Sequence, residues 1–171
     1  MGFPSNPHDH GACVAQALAA AEAECARRGA RLTEVRRRVL ELVWTSHQPV
    51  GAYALLETLA GEGFPAAPPT VYRALDFLLA HNLVHRIERL GAYVGCIRPG
   101  GAPHAGQFLL CAGCGAAAEL DDPAIDRTVA ECAARLGFTV RRQTIEIEGL
   151  CPACAAIPAP PAPAADPGNR R

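Results

Sequence analysis

The strongest constraint on this chain is one cysteine spacing that occurs twice: Cys111-Ala112-Gly113-Cys114 and Cys151-Pro152-Ala153-Cys154, with 36 residues between them. A C-x-x-C turn aims two thiolates at one tetrahedral cation, and two such turns complete a closed four-thiolate site of the kind that holds structural zinc. The fold must therefore bring the ends of a long insert together. The stretch reads as strands near Gln107–Leu110 and Ala116–Leu120, a helix over Pro123–Leu136, and a strand from Phe138 to Glu148, whose Ile145-Glu146-Ile147-Glu148 alternation marks a half-buried sheet. The helix places Ile125, Val129, Cys132 and Leu136 on one face, which makes Cys132 a core residue. Thiol redox chemistry is the rival reading, because the second pair resembles a CPxC motif. A reactive thiol there needs the start of a helix to stabilise its thiolate, and the following Ile157-Pro158-Ala159-Pro160 argues against one.

Upstream the patterning is helical. An alanine-rich run from Ala12 to Arg28 closes at Gly29, with Cys13 and Cys25 as small helix residues. Thr33 caps a second helix with Val35, Val39, Leu42 and Val43 inward. Gly51–Ala60 gives a third with Leu55, Leu56 and Leu59 inward. Pro68-Pro69-Thr70 start a fourth, Val71 to Ala80, with Val71, Leu75, Leu78 and Leu79 inward. Leu83–Glu88 and Ala92–Ile97 read as the strands of a hairpin.

Helices followed by a hairpin are the layout of a winged helix-turn-helix. The first turn of the fourth helix, with Thr70, Tyr72 and Arg73, is then offered to base edges in a major groove, and Tyr53 is a second contact. Six arginines between positions 27 and 38 face only Glu34, a local excess of five positive charges in a chain whose net charge is −1.

Four ligands of mixed type lie where the two halves meet: His85, Cys96, His104 and Glu119. A thiolate, two imidazoles and a carboxylate suit zinc over magnesium or manganese, and four ligands with no open position argue against catalysis. Asp121, Asp122 and His81 are alternative members of the set. The chain has no lysine, no G-x-S-x-G, no H-E-x-x-H, and no H-x-E paired with P-C-x-x-C, so it is expected not to be an enzyme. No small-molecule substrate is expected. The absence of a long apolar run or a signal-like start points to the cytoplasm and away from membranes.

Pro68-Pro69-Thr70-Val71-Tyr72-Arg73-Ala74-Leu75-Asp76-Phe77-Leu78, with Arg31-Leu32-Thr33 upstream and the paired CxxC downstream, resembles the ferric uptake regulator superfamily over about Ala12 to Cys154. Leu83-Val84-His85, Tyr93-Val94-Gly95-Cys96, Pro103-His104 and Cys111-x-x-Cys114-Gly115-x-x-x-Glu119 are most like its zinc uptake regulator branch. The histidine-rich run of the iron and peroxide sensors is missing, which favours zinc.

The resemblance implies an α+β homodimer with an N-terminal winged helix-turn-helix domain and a small C-terminal α/β dimerisation domain. The expected divisions are an arm over 1–11, a DNA-binding domain over 12–98, a hinge over 99–106, a dimerisation domain over 107–155 and a Pro/Ala tail over 156–171. It further implies two Zn2+ per protomer, a structural one on Cys111, Cys114, Cys151 and Cys154 and a regulatory one on His85, Cys96, His104 and Glu119. Tyr72, Arg73 and, less closely, Tyr53 match DNA-contacting positions. The function implied is zinc-dependent repression of zinc-uptake genes through double-stranded operator DNA. An iron- or manganese-responsive regulator of the same superfamily is the nearest alternative, and a zinc-dependent enzyme or a thiol redox sensor are alternatives of other classes.

Overall fold

A computed structural model describes residue 3 and residues 10–65, 67–100 and 106–157. Most of the expected arm, His104 and most of the tail lie outside the described residues, and the end of the arm, His10 and Gly11, belongs to the first helix. In chain order the elements are α1 (His10–Arg27), α2 (Glu34–Trp44), β1 (Val50–Gly51), α3 (Ala52–Gly61), α4 (Pro68–Ala80), β2 (Val84–Ile87), β3 (Ala92–Gly95), β4 (Gly106–Cys111), β5 (Ala117–Glu119), α5 (Pro123–Arg135), β6 (Thr144–Gly149) and α6 (Pro152–Ala155). None of the helices described is long and apolar enough to cross a membrane.

The N-terminal part packs around one core in which the apolar stripes of four helices meet the hairpin. Leu18, Ala21 and Cys25 come from α1, Val39, Leu40 and Val43 from α2, Leu55 and Leu59 from α3, and Val71, Leu75 and Leu78 from α4. Each side chain of Val or Leu size contributes roughly 1.5–3 kcal/mol by leaving water. The hairpin closes the layer, with β3 pairing antiparallel to both β2 and the short β1 in the order β1-β3-β2. Two residues of β1 carry no periodicity, which is why the sequence does not announce it. Thr33 does sit at the α2 N-cap, but its side chain makes no capping hydrogen bond, so the expected cap is in place by backbone alone.

The second sheet runs β5-β4-β6, with β4 antiparallel to β5 and parallel to β6 in a register that sets Cys111 opposite Gly149. The parallel pairing requires a crossover, and α5 supplies it, started by Asp122, whose carboxylate accepts from the Ala124 N–H at 2.8 Å. Two expectations fail here. Cys132 is exposed rather than core, and the strand begins at Thr144 rather than Phe138.

No residue of α5 is buried, and Leu136 and Phe138 are 86% and 67% exposed. Helical periodicity reports an apolar face that needs a cover. It does not say that the cover is in the same chain.

A small second core of Ile87, Phe108, Leu110 and Ala117, with Val94 against it, joins the hairpin to this sheet. The seam is also bridged by backbone and side-chain bonds. The Ala117 N–H donates to the His47 carbonyl at 2.8 Å, Gln48 Nε2 to the Cys114 carbonyl at 2.8 Å, and Arg98 pairs with Asp121 at 2.7 Å.

Candidate functional site

Two ligand clusters are formed among the described residues, each with its ligand atoms all within 4.8 Å of one another: Cys111, Cys114, Cys151 and Cys154, and His85, Cys96 and Glu119. The first is local to the second sheet. The parallel β4–β6 register delivers Cys111 and Cys151 to the same edge, and the Ala112 N–H donates to the Gly149 carbonyl at 2.8 Å, tying the two knuckles together. A Cβ on Gly113 would stand 2.9 Å from Cys154 Sγ, so any side chain before Cys114 would force the second knuckle to shift.

Cys114 Sγ lies 3.8 Å from Cys151 Sγ. That is the edge of a tetrahedron whose metal–sulfur bonds are about 2.3 Å, and far beyond the roughly 2.05 Å of a disulfide. Backbone N–H groups of Cys151 and Cys114 pull Cys111 down to about 6, while the neighbouring sulfurs of Cys151 and Cys111 push Cys154 up to about 12. Four thiolates this close repel one another, and a divalent cation among them removes the conflict.

The prolines after Cys154 argue against a helix start at Cys151. The structure corrects this: Cys151 is the N-cap of the single turn α6, its sulfur accepting from the Cys154 N–H at 3.4 Å. Pro152 at N1 costs nothing there, because its missing donor would be unpaired in any case. One turn is enough to shape a metal knuckle.

The second cluster spans the seam. His85 is on β2 and Cys96 follows β3, both in the hairpin, whereas Glu119 ends β5 of the second sheet. His85 Nε2 stands 3.0 Å from Glu119 Oε1, and the Ile97 N–H donates to Glu119 Oε2 at 2.9 Å. The Cys96 N–H is fixed on the Leu83 carbonyl at 3.1 Å. The Glu119 side chain is 2% exposed and that of His85 14%. Burial, reinforced by the Glu119 charge, pushes the Cys96 thiol up to about 12. A buried carboxylate beside a buried thiol and an imidazole is a donor set made for a cation.

Of the expected four ligands the structure gathers three, and His104 lies outside the described residues. The alternative members are engaged elsewhere. Asp121 pairs with Arg98, Asp122 caps α5, and His81 stacks on Phe77 with ring centroids 4.0 Å apart.

Sequence reasoning missed what braces this cluster. The sole tryptophan, Trp44 at the end of α2, packs against Gly95, where a Cβ would stand 2.1 Å from the indole. A glycine directly before a candidate ligand was the available signal. His47 and Gln48, which follow α2, reach the second sheet, and Glu146 accepts the N–H groups of Glu88 and Arg89 at the hairpin turn, at 2.6 and 3.2 Å.

The first two turns of α4 expose Tyr72 (44%) and Arg73, with Thr70 half-buried, and Tyr53 on α3 is 72% exposed. Val71, Ala74, Leu75 and Leu78 anchor the helix from behind. An α4 rooted in this way presents one polar face outward, as a recognition helix does.

An exposed helix in a winged helix-turn-helix, joined to a second module by one ligand cluster across the seam and with another closed inside that module, defines a winged-helix regulator with metal-ligand clusters. The chain belongs to the ferric uptake regulator family, whose model matches residues 27–148. It is 40% identical over 142 residues to the zinc uptake regulation protein of Escherichia coli K12, covering 83% of each chain. Among solved structures, holo XcZur is 44% identical with a TM-score of 0.75, over 82% of this chain and 97% of that one. A zinc uptake regulator complexed with zinc and DNA is 38% identical with a TM-score of 0.76, over 87% and 97%.

Proposed function

We propose that this chain is a zinc-responsive transcriptional repressor that binds operator DNA as a homodimer, with zinc as co-repressor, and controls zinc-uptake genes. One observation carries the reading: His85, Cys96 and Glu119 come from both sides of the seam and converge. His85, Cys96, His104 and Glu119 are assigned to the regulatory ion, and Cys111, Cys114, Cys151 and Cys154 to the structural one, giving two per protomer. Tyr53, Thr70, Tyr72 and Arg73 are assigned to DNA. The working division is a DNA-binding domain over 12–98, a hinge over 99–106 and a dimerisation domain over 107–155.

Zinc, when bound, supplies the positive charge that lets a thiolate and a carboxylate share a buried site. The protein's own residues do the rest. His85 and Cys96 fix the hairpin to Glu119, and the hairpin fixes α4. In a dimer, the orientation of the hairpin on the second sheet sets the separation of the two α4 helices, which must match grooves about 34–36 Å apart. The exposed apolar side chains at the end of α5, Leu136 and Phe138, support a second copy as their cover. A family likeness to a regulator solved with zinc and DNA supports a non-enzymatic, cytoplasmic role.

Metal analysis beside a gel-retardation assay tests the reading. The purified protein should carry about two zinc ions per protomer, as two separate closed sites require, and should retard its own promoter fragment only with both filled. Retardation indifferent to a zinc chelator would sink the proposal. Iron or manganese in the second site would change the metal and keep the sensor.

A further inference from the structure

The sequence shows six arginines against one glutamate between positions 27 and 38, but the fold neutralises four of them. Arg27 and Arg28 both close on Glu24. Arg37 pairs with Glu22 at 3.1 Å, and Arg38 with Glu41 at 2.8 Å and with Glu62. Among the described residues, Arg31 and Arg36 are the two left without a carboxylate.

Arg36 is nevertheless held in place. Its Nη1 donates to the Arg31 carbonyl at 2.7 Å, and its guanidinium lies 3.6 Å above the centroid of Phe77 on α4. A guanidinium has five N–H donors, and this is the one hydrogen bond the Arg36 side chain makes among the described residues. Arg36 lines a shallow notch of about 230 Å3 between α2 and α4, together with Thr33, Val35, Thr70, Arg73 and Ala74. Two arginines and two threonines thus share a small concavity with no carboxylate in its lining, beside the first turn of α4. Thr33, at the α2 N-cap, does not spend its hydroxyl on capping.

We propose that this notch seats a phosphodiester oxygen of the DNA backbone, held by Arg36 and Thr33 from α2 and by Thr70 from α4. The inference rests on the regulator reading above and adds to it the element that sets the depth and register of α4. A phosphate clamped there fixes where Tyr72 and Arg73 meet the groove while carrying no sequence information itself. Positioning by phosphate and reading by base edges then belong to different helices.

The test uses full-length, zinc-loaded protein in anisotropy titrations against its own promoter fragment and a mixed-sequence duplex, across about 50 to 200 mM salt. Arg36→Gln should weaken both duplexes by the same factor and reduce the slope of log K against log salt by about 0.9 for each protomer engaged. Arg37→Gln, whose charge is already paired with Glu22, should leave the slope at the wild-type value. If Arg36 only staples α2 to Phe77, the variant melts earlier but keeps the wild-type slope, and the proposal is overturned.

A loss confined to the promoter fragment overturns it too, since that is base reading. Should Arg36→Gln fail to fold, Thr33→Val decides: about a threefold loss on both duplexes at unchanged slope supports the seat, as one neutral hydrogen bond is worth, and wild-type affinity rejects it. Failure of the unmutated, zinc-loaded protein to bind either duplex would instead remove the regulator reading itself.

Discussion

The two ligand clusters touch the same small sheet, yet only one of them needs the rest of the molecule. The four cysteines come from β4, the turn after it, and the knuckle after β6, and they close within one module. His85 and Cys96 belong to the hairpin and meet Glu119 only if the hairpin lies on the second sheet. A cluster assembled within one module holds that module together. A cluster assembled across a seam reports whether the seam is closed, and an ion that binds it stabilises the closed arrangement by mass action. The chemistry follows the same division: soft, uniform and closed in the first, mixed and tuned by a buried carboxylate in the second.

The largest expected effect comes from breaking the first cluster. The second core has four buried members, too few to hold a sheet and crossover without a staple. Cys114→Ser should therefore abolish cooperative unfolding of the C-terminal module, since structural zinc contributes on the order of 10–16 kcal/mol in small domains. Circular dichroism melts and sedimentation would show it. A Cys114→Ser protein that melts like the wild type would erase the contrast. Cys96→Ser should leave a folded dimer that keeps one zinc per protomer, while zinc-dependent DNA binding falls by about 100-fold or more, the scale on which loss of a metal's supporting groups is felt. Equal loss of fold in both variants would mean that the clusters do one job.

Much of this was legible in the residues, and the rest was hidden for identifiable reasons. Apolar spacing located the four core helices because each buries a stripe in its own chain, and the two C-x-x-C turns announced their partnership because the ligands are paired locally. The same periodicity misled at Cys132, where the face points out of the protomer. The run of arginines suggested a basic surface, but Glu22, Glu24, Glu41 and Glu62, outside or far from that run, neutralise four of them. Contacts across the seam were the least legible, because a backbone carbonyl such as that of His47 leaves no mark in composition or spacing.

Two weaker perturbations probe the seam without touching a ligand. Gly95→Ala forces the Trp44 ring or the β3 strand to move, at a cost of roughly 1–3 kcal/mol. Cys96 is the next residue, so the His85, Cys96 and Glu119 cluster should lose zinc affinity about tenfold while the four-cysteine cluster stays full. The double variant Gly95→Ala with Trp44→Leu, which frees the space, should recover most of it. Zinc competition titrations decide this, and an unchanged affinity in the single variant would show that Trp44 only fills the core.

The smallest effect tests whether the seam carries coupling beyond the ligands themselves. Glu146, on β6, is no ligand in either cluster, but its two carboxylate oxygens take the N–H groups of Glu88 and Arg89 and so pin the hairpin turn to the second sheet. If the closed seam is what both zinc and DNA select, each must tighten the other by the same factor. Glu146→Gln keeps the shape and one acceptor oxygen while removing the charge, and an exposed interaction of this kind is worth about 0.5–1 kcal/mol. Zinc should still fill both clusters, and the melting temperature should scarcely move. The factor by which promoter DNA raises zinc affinity should fall about threefold, and the factor by which zinc raises DNA affinity should fall equally. A change in DNA affinity of the same size with and without zinc would instead place Glu146 in direct contact with DNA. No change in either would confine the coupling to His85, Cys96 and Glu119, and the seam would then be a consequence of metal binding rather than part of the device.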